Sequence, residues 1–294
     1  MDNLPEAALG NAQITPAVIW SACVTIFGVI SLLRLLRGIR REREFAGVPA
    51  WNASLLQLFA FLLMAVFCLL GVGLICGYAA RALFPEADLR NNLTYLVPAM
   101  QPIALVTLLV FVRFASPAGA FPRPLDAAPE RRMQHFLSAK NRFGVPAMFG
   151  SAVVLVSISA ALMLAIVRLF PEGAQAIFQE NQALVQELSE PGRRLSFLLS
   201  VPAIVIFTPI SEELIFRVGL YRFLKSRVPA AFAAILSSII FALLHDAPIS
   251  YLPLAVLGCL LCFTYEKTGR VAAPILVHAL FNANTLLLIA LGGA

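Results

Sequence analysis

Charged residues are scarce in this sequence. Asp, Glu, Lys and Arg make up 13% of the 294 residues, whereas 60% are hydrophobic. Because a soluble domain carries about a quarter charged residues, this composition excludes an ordinary water-soluble fold. No internal repeat or low-complexity tract stands out either. The sequence therefore lacks the inverted repeat that many membrane transporters contain, which counts against a transporter.

Cysteine is also infrequent, and its distribution excludes the disulfide framework of a small secreted domain. All five cysteines lie within apolar runs, and we interpret the C-x-x-C of Cys259 and Cys262 as two small packing residues of a helix. A secretory signal peptide is not visible, because the segment before residue 14 is acidic rather than basic. The first apolar run is therefore expected to remain in the mature protein.

The apolar residues are grouped in runs of about 20, each long enough to cross a bilayer as a helix. We predict an all-α, polytopic membrane protein built as a bundle of about eight transmembrane helices. It forms one integral membrane domain, with four helices in residues 1–195 and four in residues 196–294. The predicted runs are residues 14–36, 54–80, 93–112, 144–167, 196–224, 229–246, 249–265 and 271–292.

Basic residues occur mainly in alternate loops between these runs, and most acidic loop residues lie in the others. Since cytoplasmic loops are enriched in Lys and Arg, we predict that both termini lie outside the cytoplasm. The protein itself is expected in a bacterial inner membrane. Attraction to anionic lipid accounts for the net charge of +6, so no nucleic-acid partner is expected. The two longest loops, residues 116–142 and 171–193, are predicted to form interfacial helices without an assigned role.

The last third of the chain differs from the rest, because ionisable side chains occur there inside apolar runs. A charge at membrane depth costs about 2.5 kcal/mol or more on insertion scales, so such residues are functional candidates. The alternative is a polar network that only packs helices together. Three motifs contain these residues: T-P-I-S-E-E-L-I-F-R from Thr208 to Arg217, F-A-L-L-H from Phe241 to His245, and H-A-L-F-N from His278 to Asn282.

Residue spacing divides these groups further. Glu213 and Arg217 are four apart, which places them on one helix face as an ion pair. Glu212 points about 100° away around the same helix and is left as the free carboxylate, the expected general base. His278 and Asn282 are also four apart, so both can donate hydrogen bonds to a single oxygen from one face of the last helix.

The three motifs meet only if the fifth helix continues past Arg217 to about Lys225. At a rise of ~1.5 Å per residue, Glu212 then lies about 20 Å from the cytoplasmic end of that helix. By the same estimate, His245 and His278 also fall within a hydrocarbon core about 30 Å thick. The predicted site therefore depends on the length of one helix.

Pro209 precedes the acidic pair by about one turn. Because proline has no backbone N–H, it is expected to free the carbonyl of Val205 and to kink the helix. Broken helices of this kind tend to line cavities rather than to face lipid. Hydrolysis within a membrane requires such a water-filled pocket.

The motifs E-E-x-x-x-R, F-x-x-x-H and H-x-x-x-N, in this order on late helices, resemble those of the CPBP family of intramembrane proteases. This family includes the type II CAAX prenyl endopeptidases and the lysostaphin-resistance-like (Abi) proteins. The resemblance covers about residues 200–285 and implies an eight-helix fold with residues 196–294 as its catalytic core. It also implies an active site reached from the cytoplasmic side and endoproteolysis of a membrane-associated or prenylated chain.

The resemblance further implies a role for each motif residue. Carried over by motif position, Glu212 with His245 would activate the attacking water, His278 with Asn282 would stabilise the oxyanion, and Glu213 with Arg217 would support the site.

Three residues of the site could instead bind zinc, because their side chains are of the types that ligate this metal: Glu212, His245 and His278. The H-E-x-x-H pairing of soluble metalloproteases is absent, and we favour a metal-free reaction that requires no cofactor.

The leading hypothesis is an intramembrane endopeptidase whose substrate is a peptide or protein in or at the lipid bilayer. The alternative from another class is a non-enzymatic membrane scaffold or partner-binding protein with the same polar core. A proton-coupled transporter also uses buried Glu and His, and proton uptake into proteoliposomes would support it. No motif in the sequence encodes whether the substrate is prenylated or how many copies of the chain assemble.

Overall fold

The computed structural model of this protein describes residues 15–41, 47–71, 102–109, 143–169, 201–245 and 247–291, together with short pieces between residues 74 and 141. Every regular element within these residues is helical, and each helix overlaps one predicted apolar run. The predicted all-α class is confirmed. In chain order the helices are α1 (Pro16–Arg41), α2 (Leu55–Gly71), α3 (102–109), α4 (Val145–Arg168), α5 (201–225), α6 (Ala230–Leu243), α7 (Tyr251–Thr268) and α8 (Ala272–Ala290).

Several predictions concern parts of the chain that these ranges do not include. The loop at residues 171–193 lies outside the described residues, as do residues 116–136 of the other long loop. The predicted interfacial helices and the predicted position of the termini therefore stay predictions. So does the division of the chain at residue 195.

Among the residues that the structure describes, four helices are long and apolar enough to cross a membrane: α1, α4, α7 with the short turn before it, and α8. α2 and α6 are shorter apolar helices. Many of their large side chains face outward, for example Leu56 at 76% exposure and Phe232 at 62%. Contiguous apolar surface of this kind is unfavourable in water and favourable against lipid. The helices therefore belong to an integral membrane protein, as predicted.

Small residues allow α1 and α4 to pack closely. A Cβ atom on Gly28 would lie 2.6 Å from the carbonyl oxygen of Gly150, and one on Gly150 would lie 2.8 Å from Ser31 Oγ. Membrane helices associate through such close backbone approach, because lipid provides little hydrophobic driving force between them. On its other side α4 packs against α7, where Met148 shares a core with Leu257. The N-terminal and C-terminal helices thus enclose a common interior.

Helix α5 carries the acidic motif and continues beyond it. Its middle is buried against α2, since a Cβ atom on Gly219 would lie 2.3 Å from Phe61 Cε1. The helix extends past Arg217 to Lys225, so the condition on which the predicted site depends is confirmed. Its segments are π-helical Ala203–Phe207, α-helical Thr208–Glu213, π-helical Leu214–Tyr221 and α-helical Arg222–Lys225.

The segment before α2 holds the last turn of α5 in place. Lys225 Nζ donates to the carbonyl oxygen of Val48 at 2.8 Å, and Arg222 Nε donates to that of Pro49 at 2.8 Å. In return, the backbone N–H of Trp51 donates to the carbonyl oxygen of Arg222 at 2.9 Å. These bonds anchor the end of the helix whose middle carries the acidic pair.

Candidate active site

Glu212 and Glu213 are adjacent on α5 but have different surroundings. The side chain of Glu213 is fully buried, whereas that of Glu212 is 20% exposed. Neighbouring positions on a helix differ by ~100°, so the two carboxylates reach different partners. Glu212 Oε2 has no hydrogen-bond partner among the residues that the structure describes. Glu212 is thus the more accessible carboxylate and the one with unused acceptor capacity.

Two imidazole rings from different helices face Glu212. His245 Nε2 lies 3.8 Å from Glu212 Oε1, and His278 Nε2 lies 3.6 Å from Glu212 Oε2. Both distances exceed that of a direct hydrogen bond. Gaps of this length suit a small polar molecule that contacts the carboxylate and an imidazole together. The structure therefore brings together the three ionisable residues that the sequence placed at membrane depth.

The backbone of α6 orients His245. This residue follows the C-terminal end of the helix, and its Nδ1 lies 2.8 Å from the carbonyl oxygen of Phe241, one turn earlier. A carbonyl oxygen can only accept, so Nδ1 carries the hydrogen and Nε2 is the ring nitrogen that faces Glu212. The His245 side chain is 33% exposed. It is the more accessible imidazole of the two.

Glu213 holds His278 from the side opposite Glu212. His278 Nδ1 lies 3.0 Å from Glu213 Oε1, and the imidazole is almost fully buried. Glu213 Oε2 pairs with Arg217 Nε at 3.1 Å, which confirms the predicted i,i+4 ion pair. Arg217 Nη2 donates in turn to the carbonyl oxygen of Gly258 in α7 at 3.4 Å. A chain of contacts thus connects α7, α5 and α8 behind the imidazole.

The contact between Glu213 and His278 was not predicted. The spacing rules that identified the ion pair apply within one helix, whereas these two residues are 65 positions apart. The resemblance assigned Glu213 only a supporting role and did not say what it supports. The structure explains how Glu213 supports the site, because a carboxylate that contacts Nδ1 fixes the ring orientation of a histidine.

The Phe241 ring contacts both imidazoles and the Arg217 guanidinium. Its ring centroid lies 4.7 Å from that of His245 and 6.0 Å from that of His278, both in edge-to-face geometry. The Arg217 guanidinium carbon lies 4.7 Å from the same ring centroid, in a cation–π contact. Sequence reasoning used Phe241 only as part of a motif. The structure shows that it packs both imidazoles and covers the arginine.

Asn282 lies one turn beyond His278 on α8, but its amide contacts another helix. Asn282 Nδ2 donates to the carbonyl oxygen of Ile204 in α5 at 2.9 Å. An amide nitrogen carries two hydrogens, so this bond leaves one of them. The predicted role of Asn282 as an oxyanion donor stays a prediction.

The two histidines and Glu212 are also the residues named above as candidate zinc ligands. Within the described ranges, no three His, Cys, Asp or Glu side chains form a group that would hold a metal ion. The expectation that the reaction needs no metal stays a prediction, and a chelation experiment in the Discussion tests it.

Comparison with known proteins agrees with this arrangement. Residues 194–284, which include all three motifs, match the family model described as type II CAAX prenyl endopeptidase Rce1-like. This part of the chain is similar to the Rce1-like family. The resemblance to CPBP intramembrane proteases is thereby confirmed.

Part of the chain is also similar to a curated relative. "Putative membrane peptidase YdiL" of Bacillus subtilis (strain 168) is 32% identical over 92 residues, which are 30% of this chain and 38% of the relative. The matched segment thus spans well under half of that relative's length. No solved structure matches the chain. The family match therefore concerns the helices that carry the site.

Proposed function

We propose that this protein is an intramembrane endopeptidase of the CAAX-protease type, in which Glu212 activates water for attack on a peptide bond. One observation carries the proposal. The free carboxylate of Glu212 faces the Nε2 atoms of His245 and His278, at 3.8 and 3.6 Å. Glu212 lies in the segment that matches the Rce1-like family model. General base and general acid groups must lie within reach of the same water and the same scissile bond, and this geometry meets that requirement.

In the proposed reaction Glu212 takes a proton from a water molecule that also contacts His245. The oxygen of that water attacks the peptide carbonyl carbon, and a tetrahedral oxyanion forms. The proton held by the carboxylate then passes to the departing amine as the C–N bond breaks. One water is consumed, and one new carboxyl and one new amino terminus result.

His278 and Asn282 are assigned to the oxyanion. Preorganised N–H donors at a developing negative charge contribute about 2.7–4 kcal/mol of transition-state stabilisation each. In this assignment His278 carries both ring hydrogens, with Nδ1–H directed at Glu213 and Nε2–H at the reacting oxygen. The net charge of Glu212, Glu213, Arg217 and protonated His278 is then zero, which lowers the cost of placing the group within a membrane.

Topology and substrate are proposed with the reaction. The substrate is a peptide or protein at the membrane, of the CAAX-processed kind that the family description names. In this proposal the end of α5, with its lysine and arginines, lies on the cytoplasmic side, as the positive-inside rule favours, and the site opens toward the cytoplasm. Reporter fusions at the two termini test this orientation, because both reporters should respond as located outside.

Mapping of protein C-termini in membranes is the direct test of proteolysis. Membranes from cells that express the wild-type chain or Glu212→Ala are compared for C-termini present only with the wild type. His245→Ala is expected to match Glu212→Ala. His135→Ala removes the histidine outside the three motifs, and it should match the wild type. An identical set of C-termini in wild type and Glu212→Ala, with both proteins inserted, would refute the assignment.

A non-enzymatic scaffold is the second candidate, and specific contacts favour it. The bonds from Glu213 to His278, from Asn282 to Ile204 and from Arg217 to Gly258 all join different helices. Such a network would stabilise the bundle without any chemistry. Glu212 separates the two functions, because it takes part in none of these bonds. Glu212→Gln should abolish cleavage at unchanged stability in an endopeptidase, whereas in a scaffold it should leave every cellular C-terminus unchanged.

A further inference from the structure

The backbone of α5 changes its hydrogen-bonding pattern just before the acidic motif. In the π-helical segment Ala203–Phe207, the N–H of Thr208 donates to the carbonyl oxygen of Ala203, five residues earlier. Continued by one residue, this pattern would pair the carbonyl of Ile204 with the N–H of residue 209. Residue 209 is proline and has no N–H. The sequence alone pointed to the carbonyl of Val205, because it assumed the α-helical spacing of four.

A side chain from another helix occupies this position. Asn282 Nδ2 donates to the carbonyl oxygen of Ile204 at 2.9 Å. Asn282 lies one turn from His278 on α8, and Ile204 lies about two turns before Glu212 on α5. The bond therefore joins the two helices that carry the catalytic glutamate and the buried histidine.

We propose that Pro209 is a positioning residue, which acts by leaving the Ile204 carbonyl free to hold the amide of Asn282. A carbonyl within a membrane-embedded helix needs a donor, and here the asparagine is that donor. The bond fixes the rotation of the amide, so its second Nδ2 hydrogen has one direction available for a substrate oxygen. This last step rests on the proposed endopeptidase function, whereas the bond between the helices does not.

A double-mutant cycle on Pro209 and Asn282 tests the proposal. Asn282→Leu keeps the branching of the side chain at Cγ and removes both N–H groups, so the Ile204 carbonyl loses its donor. The melting temperature of the purified protein should fall by about 3–8 °C. Pro209→Ala supplies a backbone N–H that satisfies the same carbonyl. The double variant should then melt within about 2 °C of Pro209→Ala alone, and additive losses would overturn the proposed pairing.

Turnover of a peptide taken from a mapped cleavage site gives a second, separate readout. Asn282→Leu should lower kcat by about 100-fold or more, because one oxyanion donor is removed. Pro209→Ala should lower kcat by about 10-fold with KM unchanged, since the asparagine remains but loses its fixed orientation. The double variant should stay as inactive as Asn282→Leu. If Pro209→Ala restores the activity of Asn282→Leu, Asn282 is structural only and its assignment to the oxyanion is overturned.

Pro253→Ala is the matched control. Pro253 lies in the first turn of α7, where a missing N–H leaves no carbonyl of the helix without its partner. It should change the melting temperature equally with and without Asn282→Leu. Should the wild-type chain cleave no peptide, the endopeptidase proposal fails, whereas the thermal cycle still decides whether Pro209 and Asn282 are coupled.

Discussion

Helix α5 contributes to two polar clusters, and their carboxylates differ in how many hydrogen-bond donors they have. At its end, Glu266 of α7 is saturated with donors: Oε1 accepts from Lys225 Nζ at 2.5 Å and from Tyr221 OH at 2.7 Å, and Oε2 accepts from the backbone N–H of Val48 at 3.2 Å. In its middle, the partners of Glu212 among the described residues are imidazole nitrogens at 3.6 and 3.8 Å. The saturated carboxylate ties helices together. The unsaturated one keeps capacity for a water and a substrate.

The largest expected effect comes from removal of the unsaturated carboxylate. Glu212→Ala should reduce cleavage by about 10²–10⁴-fold, the usual contribution of a general base. Its melting temperature should stay close to that of the wild type, because no bond between helices is lost. Activity and thermal stability of the purified protein are measured on one preparation. A large loss of stability at full activity would instead assign Glu212 the helix-joining role that Glu266 has.

Removal of the saturated carboxylate should have the opposite signature. Glu266→Ala removes the acceptor of the Tyr221 hydroxyl and the counter-ion of Lys225, which keeps only the carbonyl oxygen of Val48, at a cost of roughly 2–4 kcal/mol. This is somewhat below the ~3–5 kcal/mol of a fully buried pair, because Lys225 is 19% exposed. Thermal unfolding should show the loss, while kcat per folded molecule stays within about threefold of the wild type. Complete loss of turnover in a folded sample would place Glu266 in the reaction.

A methyl group added to α5 between the two clusters should produce a smaller loss of stability. Gly219→Ala places a Cβ against the Phe61 ring of α2, where no space exists. Overpacking of this kind costs about 1–3 kcal/mol, which a melting experiment detects. Gly71→Ala is the matched control, since its Cβ would meet the Phe67 ring at 3.3 Å and needs only a small shift. Equal losses in the two variants would contradict the tight packing of α5 on α2.

The smallest expected effect is that of chelation. If Glu212 activates water without a metal, incubation with EDTA should leave the cleavage rate unchanged within about twofold. An inactivation that added Zn²⁺ reverses would instead assign Glu212, His245 and His278 as zinc ligands. Retention of activity in EDTA together with its loss in Glu212→Ala would support the metal-free reaction.

Sequence reasoning succeeded where the relevant rule acts within one helix. The pair Glu213–Arg217 followed from a spacing of four, and the continuation of α5 to Lys225 followed from the depth that the site requires. It could not include a change in the hydrogen-bonding pattern. The segment before Pro209 is π-helical, and a spacing of five residues places the carbonyl of Ile204, rather than that of Val205, opposite Pro209.

Composition and motif spacing by themselves predicted an all-helical membrane protein with ionisable groups inside apolar runs, and its motifs resemble those of the CPBP family. Lipid tolerates only apolar helices with satisfied backbones, so hydropathy is informative there. The tertiary structure alone decided which residue the buried carboxylate holds. The spacing of Glu213 and Arg217 already left Glu212 as the free carboxylate, but only the packing of α8 against α5 brings His278 Nδ1 to Glu213. Partners that lie 65 positions apart are chosen by helix packing, which no local pattern encodes.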